Sequence, residues 1–201
     1  MRGLIIDAIV ALGSVFIGWG LYDATVKTVK QGQIKKTITA PIKAVSKIVI
    51  PSKKPGFEVP EKISEAEALA IIRDINRRVF CNFFDEKDVL AIIYIESSFR
   101  PTAQRHESHL NDHSIGLMQL LTSTAKDRGF RGTKRELMKP TTNILYGMKH
   151  LEWSLIYLKR RKPKVTKEEW ISSYNMGVGN TMKGRLSANY IAKFKAARAK
   201  Y

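Results

Sequence analysis

The sequence predicts a mainly α-helical domain with at most a small hairpin, preceded by an N-terminal transmembrane helix. Three observations carry this: an apolar run at the amino end, helical spacing with cap signals from Ser64 onward, and the lack of long β-branched alternation in that later region. The predicted boundaries are residues 1–22 for the anchor, 23–60 for a tether and 61–201 for the helical domain.

Residues 4–22 contain a single charge, Asp7, and as a helix would span ~28 Å, enough to cross a bilayer. Trp19 and Tyr22 stand at one end, where amphipathic rings favour the headgroup region. A cleaved signal peptide is the competing reading, because Gly18 and Gly20 offer small residues around a cut; the lone Arg2 and the intruding Asp7 argue against it. Lys27, Lys30, Lys35 and Lys36 follow the span, and by the positive-inside rule they would keep the rest of the chain cytoplasmic.

The tether holds Pro41, Pro51, Pro55 and Pro60 with lysines between them, a composition that interrupts helices and gives a semi-extended basic segment. Its 27–47 stretch has an alternative reading as an amphipathic helix on an anionic membrane. The net charge of +17 arises from 35 Lys and Arg against 18 Asp and Glu. Both parts of the chain contribute: nine basic and three acidic residues precede Glu61, with 26 and 15 from it onward. The implied partners are anionic, whether wall polymers, membrane surface or nucleic acid. With a single cysteine, Cys81, the chain has no intramolecular disulfide, and the flanking Phe80, Phe83 and Phe84 predict a small buried residue there rather than a nucleophile.

The first helix of the domain opens on Ser64 and Glu67, a capping box before Leu69, Ile72 and Ile75. Asp85 caps a second, in which Val89, Ile92, Ile93 and Glu96 follow i, i+3, i+4, i+7 spacing. A third is expected over 117–128, closed by Gly129 at C′, and a fourth over 143–158 after Pro140. Thr166 with Glu169 makes another capping box before Trp170, and 190–199 closes the chain helically. Any hairpin is expected between Arg105 and Ser114.

Glu96 is the candidate for chemistry. A carboxylate on an apolar helix face resists ionising because its charged form is poorly solvated, and an acid that stays protonated near neutral pH can protonate a departing glycosidic oxygen. Taken alone, a backbone hydrogen bond or pairing with Arg100 accounts for Glu96 at least as well. Its company alters the balance: Glu96-Ser97-Ser98-Phe99 is followed by Gly116-Leu117-Met118-Gln119 and then Ser173-Tyr174-Asn175-Met176-Gly177. In that order the three motifs resemble the signatures of the soluble lytic transglycosylases and goose-type lysozymes. Thr124-Ala125, Pro140, Asn143-Ile144, Gly147, Leu151 and Tyr190 fit the same pattern, and the resemblance spans about 63–201.

The resemblance implies a lysozyme-like helical fold with Glu96 as catalytic acid and base and Ser97 supporting it at the helix end. Gln119 would line the cleft, Tyr174 would direct its hydroxyl at the Glu96 carboxyl, and Asn175 would contact the substrate near the scissile bond. Met118 and Tyr190 complete the implied substrate-binding set. Each also has a structural reading, Tyr174 as a core aromatic and Met118 as a gap-filler. Two departures concern local packing: Thr122 stands where relatives commonly carry proline, and Ser173 and Met176 replace alanines. His106, His109 and His113 beside Glu107 and Asp112 superficially suggest zinc; the resemblance implies neither metal nor other cofactor, and a substrate-facing loop is the preferred reading.

The implied substrate is the glycan strand of peptidoglycan. Two-carboxylate glycosidases need a second acid, and apart from Glu107 and Asp112 no candidate stands out. The lytic transglycosylase route uses one acid and ends in a 1,6-anhydro sugar. The alternatives are a hydrolytic muramidase on the same fold and a catalytically degenerate membrane-bound structural or nucleic-acid-binding protein. The implied location is a single-pass membrane protein, either in a bacteriophage virion membrane or in a bacterial inner membrane with its domain in the periplasm.

Overall fold

The computed structural model describes residues 57–201. The predicted anchor and nearly all of the tether lie outside the described residues. Among the described residues no helix is long and apolar enough to cross a membrane. The unit that carries the motifs comprises Glu58–Asn76 and Phe84–Tyr201; Arg77–Phe83 falls in a second unit.

Helix α1 is Glu65–Val79 and opens on the expected box: the Glu67 amide donates to Ser64 Oγ at 3.1 Å, and the Ser64 amide to Glu67 Oε2 at 2.8 Å. Helix α2, Glu86–Ser97, starts where Asp85 Oδ1 accepts from the Lys87 amide at 3.0 Å. Five consecutive apolar residues of α2, 89–93, are buried, so this helix runs through the core rather than along its surface. Asp88, also buried, accepts from Lys167 Nζ at 2.6 Å and Arg198 Nε at 2.8 Å, which ties α2 to two later helices.

After α2 the chain forms a three-stranded antiparallel sheet of order β1-β2-β3. Strands β1 (Gln104–Glu107) and β2 (Asp112–Ile115) pair in a register that sets His106 opposite His113 and Glu107 opposite Asp112. This is the predicted hairpin. Strand β3, Leu120–Leu121, adds a short third partner that the sequence reading does not include.

The expected helix over 117–128 is shorter than predicted. Helix α3 covers Thr122–Asp127 alone, because Gly116 (φ 79°) and Gln119 (φ 43°) adopt left-handed backbone that cannot continue a right-handed helix. Gly129, at φ 95°, does follow the helix as expected. Thr122, at the position of the usual proline, is the first residue of α3; its hydroxyl bonds Asp112, whose other oxygen accepts from the Ser123 amide at 2.9 Å. A strand residue thus caps α3 from outside.

Short helix α4, Lys134–Leu137, carries a Thr133–Glu136 capping box. Helix α5, Pro140–Lys159, has its proline in the first turn and buries Ile144, Met148, Leu151, Leu155 and Leu158 along the centre of the domain. Helix α6, Lys167–Met176, begins on the predicted Thr166–Glu169 box and buries Trp170, whose indole N–H donates to the Leu151 carbonyl at 2.9 Å. Helices α7 (Val178–Met182) and α8 (Ala188–Arg198) complete the chain, with α8 packed on α2 and α6.

Cys81 corrects its expectation. It is exposed at φ 49° in a turn of left-handed residues, so its aromatic neighbours in sequence do not cover it.

Candidate active site

The geometry around Glu96 begins with how α2 ends. Ser98 (φ 51°) and Phe99 (φ 65°) are consecutive left-handed residues, and the Ser98 amide closes the last turn on the Tyr94 carbonyl at 2.9 Å. Two such residues without glycine cost of order 1–3 kcal/mol each. They stop the helix directly after Ser97 and leave Glu96 in its final turn. Arg100 does not pair with Glu96; its Nε donates to the Ser97 carbonyl at 3.2 Å.

Glu96 is half-buried, and Tyr190 from the first turn of α8 donates its hydroxyl to Glu96 Oε1 at 2.6 Å. Burial pushes the Glu96 carboxyl up to about 7, although the Tyr190 hydrogen bond pulls the other way. The Arg105 and Glu107 charges on the hairpin and Lys193 on α8 also reach it.

The Gly116-Leu117-Met118-Gln119 motif is a turn held from behind. Buried Asn143 accepts from the Met118 amide at 2.8 Å and donates to the Ile115 and Leu137 carbonyls at 2.8 and 3.0 Å, so its amide is committed on both sides. A Cβ on Gly116 would lie 2.4 Å from Asn143 Nδ2, and one on Gly147 would lie 2.2 Å from Met118 Sδ. Asn143, Gly116 and Gly147 therefore belong to one close-packed joint between the turn and α5.

These contacts correct several implied roles. Ser97 has a supporting place at the helix end but no substrate contact: it is buried and donates to the Leu117 carbonyl at 2.8 Å, which joins the end of α2 to the turn. Met118 is fully buried over Gly147, so its side chain fills the core; only its carbonyl is used at the site. Tyr174 does not donate to Glu96: its hydroxyl goes to that Met118 carbonyl at 2.7 Å, and Tyr190 takes the role instead. The Tyr174 ring remains near enough for the Glu96 charge, after burial, to push its phenol well above the ordinary range. Gln119 is half-buried and gives its amide N–H groups to the Ala103 and Gly116 carbonyls at 3.1 and 3.0 Å, leaving Oε1 for any sugar contact. Asn175 is exposed in the last turn of α6.

The two other acids considered from sequence separate clearly. Asp112 is spent on α3: burial alone would raise its carboxyl, but the bonds from Ser123, Thr122 and His113 outweigh it and hold the group well below the usual range. Glu107 is held low first by the Ser114 hydroxyl at 2.8 Å and then by Arg105. It is ionised at neutral pH, and its charge reaches Glu96.

His106 and His113 face each other across the hairpin with ring centroids 4.9 Å apart, and His113 Nδ1 lies 3.0 Å from Lys134 Nζ. Among the described residues no three His, Cys, Asp or Glu side chains are grouped to hold a metal ion. Sequence reasoning missed an aromatic row that starts at the site. The Tyr174 ring lies 5.7 Å from His150, which is 5.7 Å from Trp153, which is 5.2 Å from Tyr157. Its signal was the i, i+3, i+7 spacing of 150, 153 and 157 on α5.

A family model described as the transglycosylase SLT domain matches residues 82–196, more than half of the chain. The chain belongs to that family. Among solved structures, an inactive mutant of lytic transglycosylase Slt from Pseudomonas aeruginosa is similar at 19% identity with a TM-score of 0.46. The alignment covers 65% of this chain and 21% of that one, so the chain spans about a fifth of that protein's length. No curated protein matches.

Proposed function

We propose that this domain is a peptidoglycan lytic transglycosylase that cleaves the bond between N-acetylmuramic acid and N-acetylglucosamine, with Glu96 as its single acid and base. The observation that carries the reading is a half-buried carboxyl raised to about 7 and held by Tyr190 at 2.6 Å. Such a group is protonated often enough near neutrality to act as an acid, and its conjugate base is strong enough to act in return.

In the first step the Glu96 proton passes to the glycosidic oxygen as the C1–O bond breaks. The neighbouring N-acetyl carbonyl oxygen takes up the positive charge developing at C1. The Glu96 carboxylate then removes the proton of the C6 hydroxyl on the same sugar, and that oxygen bonds to C1. Glu96 recovers its proton, the N-acetyl group is released, and no water is consumed. Intramolecular attack of this kind gains from proximity, which explains how one carboxyl suffices. Tyr190 orients the carboxyl and moderates its basicity. Asn175 and Gln119 Oε1 are the atoms we assign to the sugar substituents.

Glu107 favours one second reading, a hydrolytic muramidase, because an ionised carboxylate within electrostatic reach of Glu96 is what activation of a water requires. Mass spectrometry of digested peptidoglycan separates the two. Anhydro termini, lighter by one water than hydrolytic products, are expected; hydrated termini would replace this mechanism with the muramidase one. We further propose that the domain acts on a wall within reach of a membrane-held amino end, in a virion or a bacterial envelope. Fractionation of membranes from producing cells tests that placement, and recovery of the full chain in the soluble fraction would refute it.

A further inference from the structure

Two arginines lie over the rings of the row on α5. Arg128 lays its guanidinium over Trp153 at 4.1 Å, and Arg161 lies over the neighbouring Tyr157 at 3.7 Å. A guanidinium flat on a ring is held in place by cation–π attraction while its N–H edges still point sideways toward a planar anion. Neither arginine has an ion-pair contact among the described residues; the Asp127 charge reaches Arg128 only from beyond that distance. Arg161 is exposed and spends one N–H on the Tyr157 carbonyl at 3.4 Å. Arg128 is half-buried, with its Nε shut away from solvent and unpartnered. A partly desolvated, unpaired cation is costly unless an anion arrives to meet it.

From these contacts we infer that Arg128 and Arg161, seated on Trp153 and Tyr157, form a two-point binding site for the carboxylates of a peptide attached to the bound glycan. The location supports this partner. The row runs from Arg161 through Tyr157, Trp153 and His150 to Tyr174, whose hydroxyl donates to the Met118 carbonyl and which the Glu96 charge reaches. A strand whose scissile bond lies at Glu96 carries acidic stem peptides on its muramic residues, and a stem near that bond can extend along α5. His150, pushed down to about 4 by burial and the Arg128 charge, stays neutral and adds no competing cation. This inference rests on the proposed glycan substrate and narrows it to strands that keep their stems.

The test compares steady-state cleavage by the full chain of two substrates from one wall preparation: strands with their stem peptides and strands stripped by an amidase. Wild type is expected to show a lower KM on peptide-bearing strands. Arg161→Gln, at an exposed position that leaves the core untouched, is expected to raise that KM roughly two- to five-fold. Arg128→Gln should raise it about tenfold, as for a more desolvated charged contact. Neither substitution should change kcat or the KM on stripped strands. Equal wild-type KM values for the two substrates would overturn the inference and leave the proposed activity intact, as would variants that affect both substrates alike. Failure of wild type to cleave either substrate would overturn the proposed activity and this inference together.

Discussion

Tyr190, from the first turn of α8, donates its hydroxyl to Glu96 Oε1 across 2.6 Å, although the two residues stand 94 positions apart in sequence. The bond favours the carboxylate, so removing it raises the Glu96 pKa further above about 7. Tyr190→Phe is therefore predicted to move the alkaline limb of the kcat/KM profile upward, by about one unit, as expected for loss of one charge-assisted hydrogen bond. Initial rates across pH 5–9 check this. An unmoved or lowered limb contradicts it.

The same carboxyl makes a prediction about stability. Its folded-state pKa of about 7 lies above the ordinary 4.5, so the native state binds the extra proton. That contribution is fully present below 4.5 and is lost as pH rises through 7. Glu96→Gln keeps an acceptor for Tyr190 and removes the buried charge. Above pH 8 the variant should be more stable than wild type by up to about 3 kcal/mol, with little difference at pH 4. Urea unfolding midpoints at the two pH values measure it.

Gly116 and Asn143 cannot be altered independently. Alanine at 116 would have to hold φ 79° and place its Cβ 2.4 Å from an amide fixed by three hydrogen bonds. Gly116→Ala is predicted to destabilise the domain by about 3 kcal/mol or more, since strain and overpacking act at one place. Asn143→Ala should cost a similar amount by orphaning buried backbone groups, and the double variant should cost less than the sum of the two.

Asp112 serves as a remote cap, and its depressed pKa gives the opposite sign from Glu96. Its stabilising effect is present above the unfolded carboxylate pKa and is lost as the pH falls below it. Asp112→Ala should destabilise by about 1–2 kcal/mol at neutral pH, with the deficit shrinking in acid. Thermal unfolding at pH 7 and pH 3 decides it.

The parts of the fold legible in the sequence are those written in local chemistry. Ser64 with Glu67, Asp85, and Thr166 with Glu169 start helices as their spacing predicts, because a cap needs only its own next three residues. Thr133 with Glu136 obeys the same rule but starts only a single turn, too short to show as helical spacing. Residues 117–128 read as one helix because apolar spacing does not register left-handed backbone at Gln119, next to the Met118 amide that Asn143 holds. At the site, the sequence singles out Glu96 through the company of the Gly116–Gln119 and Ser173–Gly177 motifs rather than through its apolar face alone, whereas the exchange between Tyr174 and Tyr190 is not legible there. Tyr190 meets Glu96 because α8 packs on α2, and Tyr174 meets the Met118 carbonyl where α6 reaches the Gly116–Gln119 turn, relations absent from any single stretch of chain. The seat of Arg128 on Trp153 is hidden for a similar reason, since Arg128 reaches its ring from outside α5, whereas Arg161 stands only four residues after Tyr157.

The central claim is that Glu96 moves the proton in both steps. It is tested most directly by the rate at which Glu96→Gln releases soluble fragments from purified peptidoglycan, beside wild type at equal concentration and with the variant's fold verified. The account predicts a fall of roughly 10²–10⁴-fold, the range for loss of a positioned acid and base. Release at the wild-type rate would contradict it.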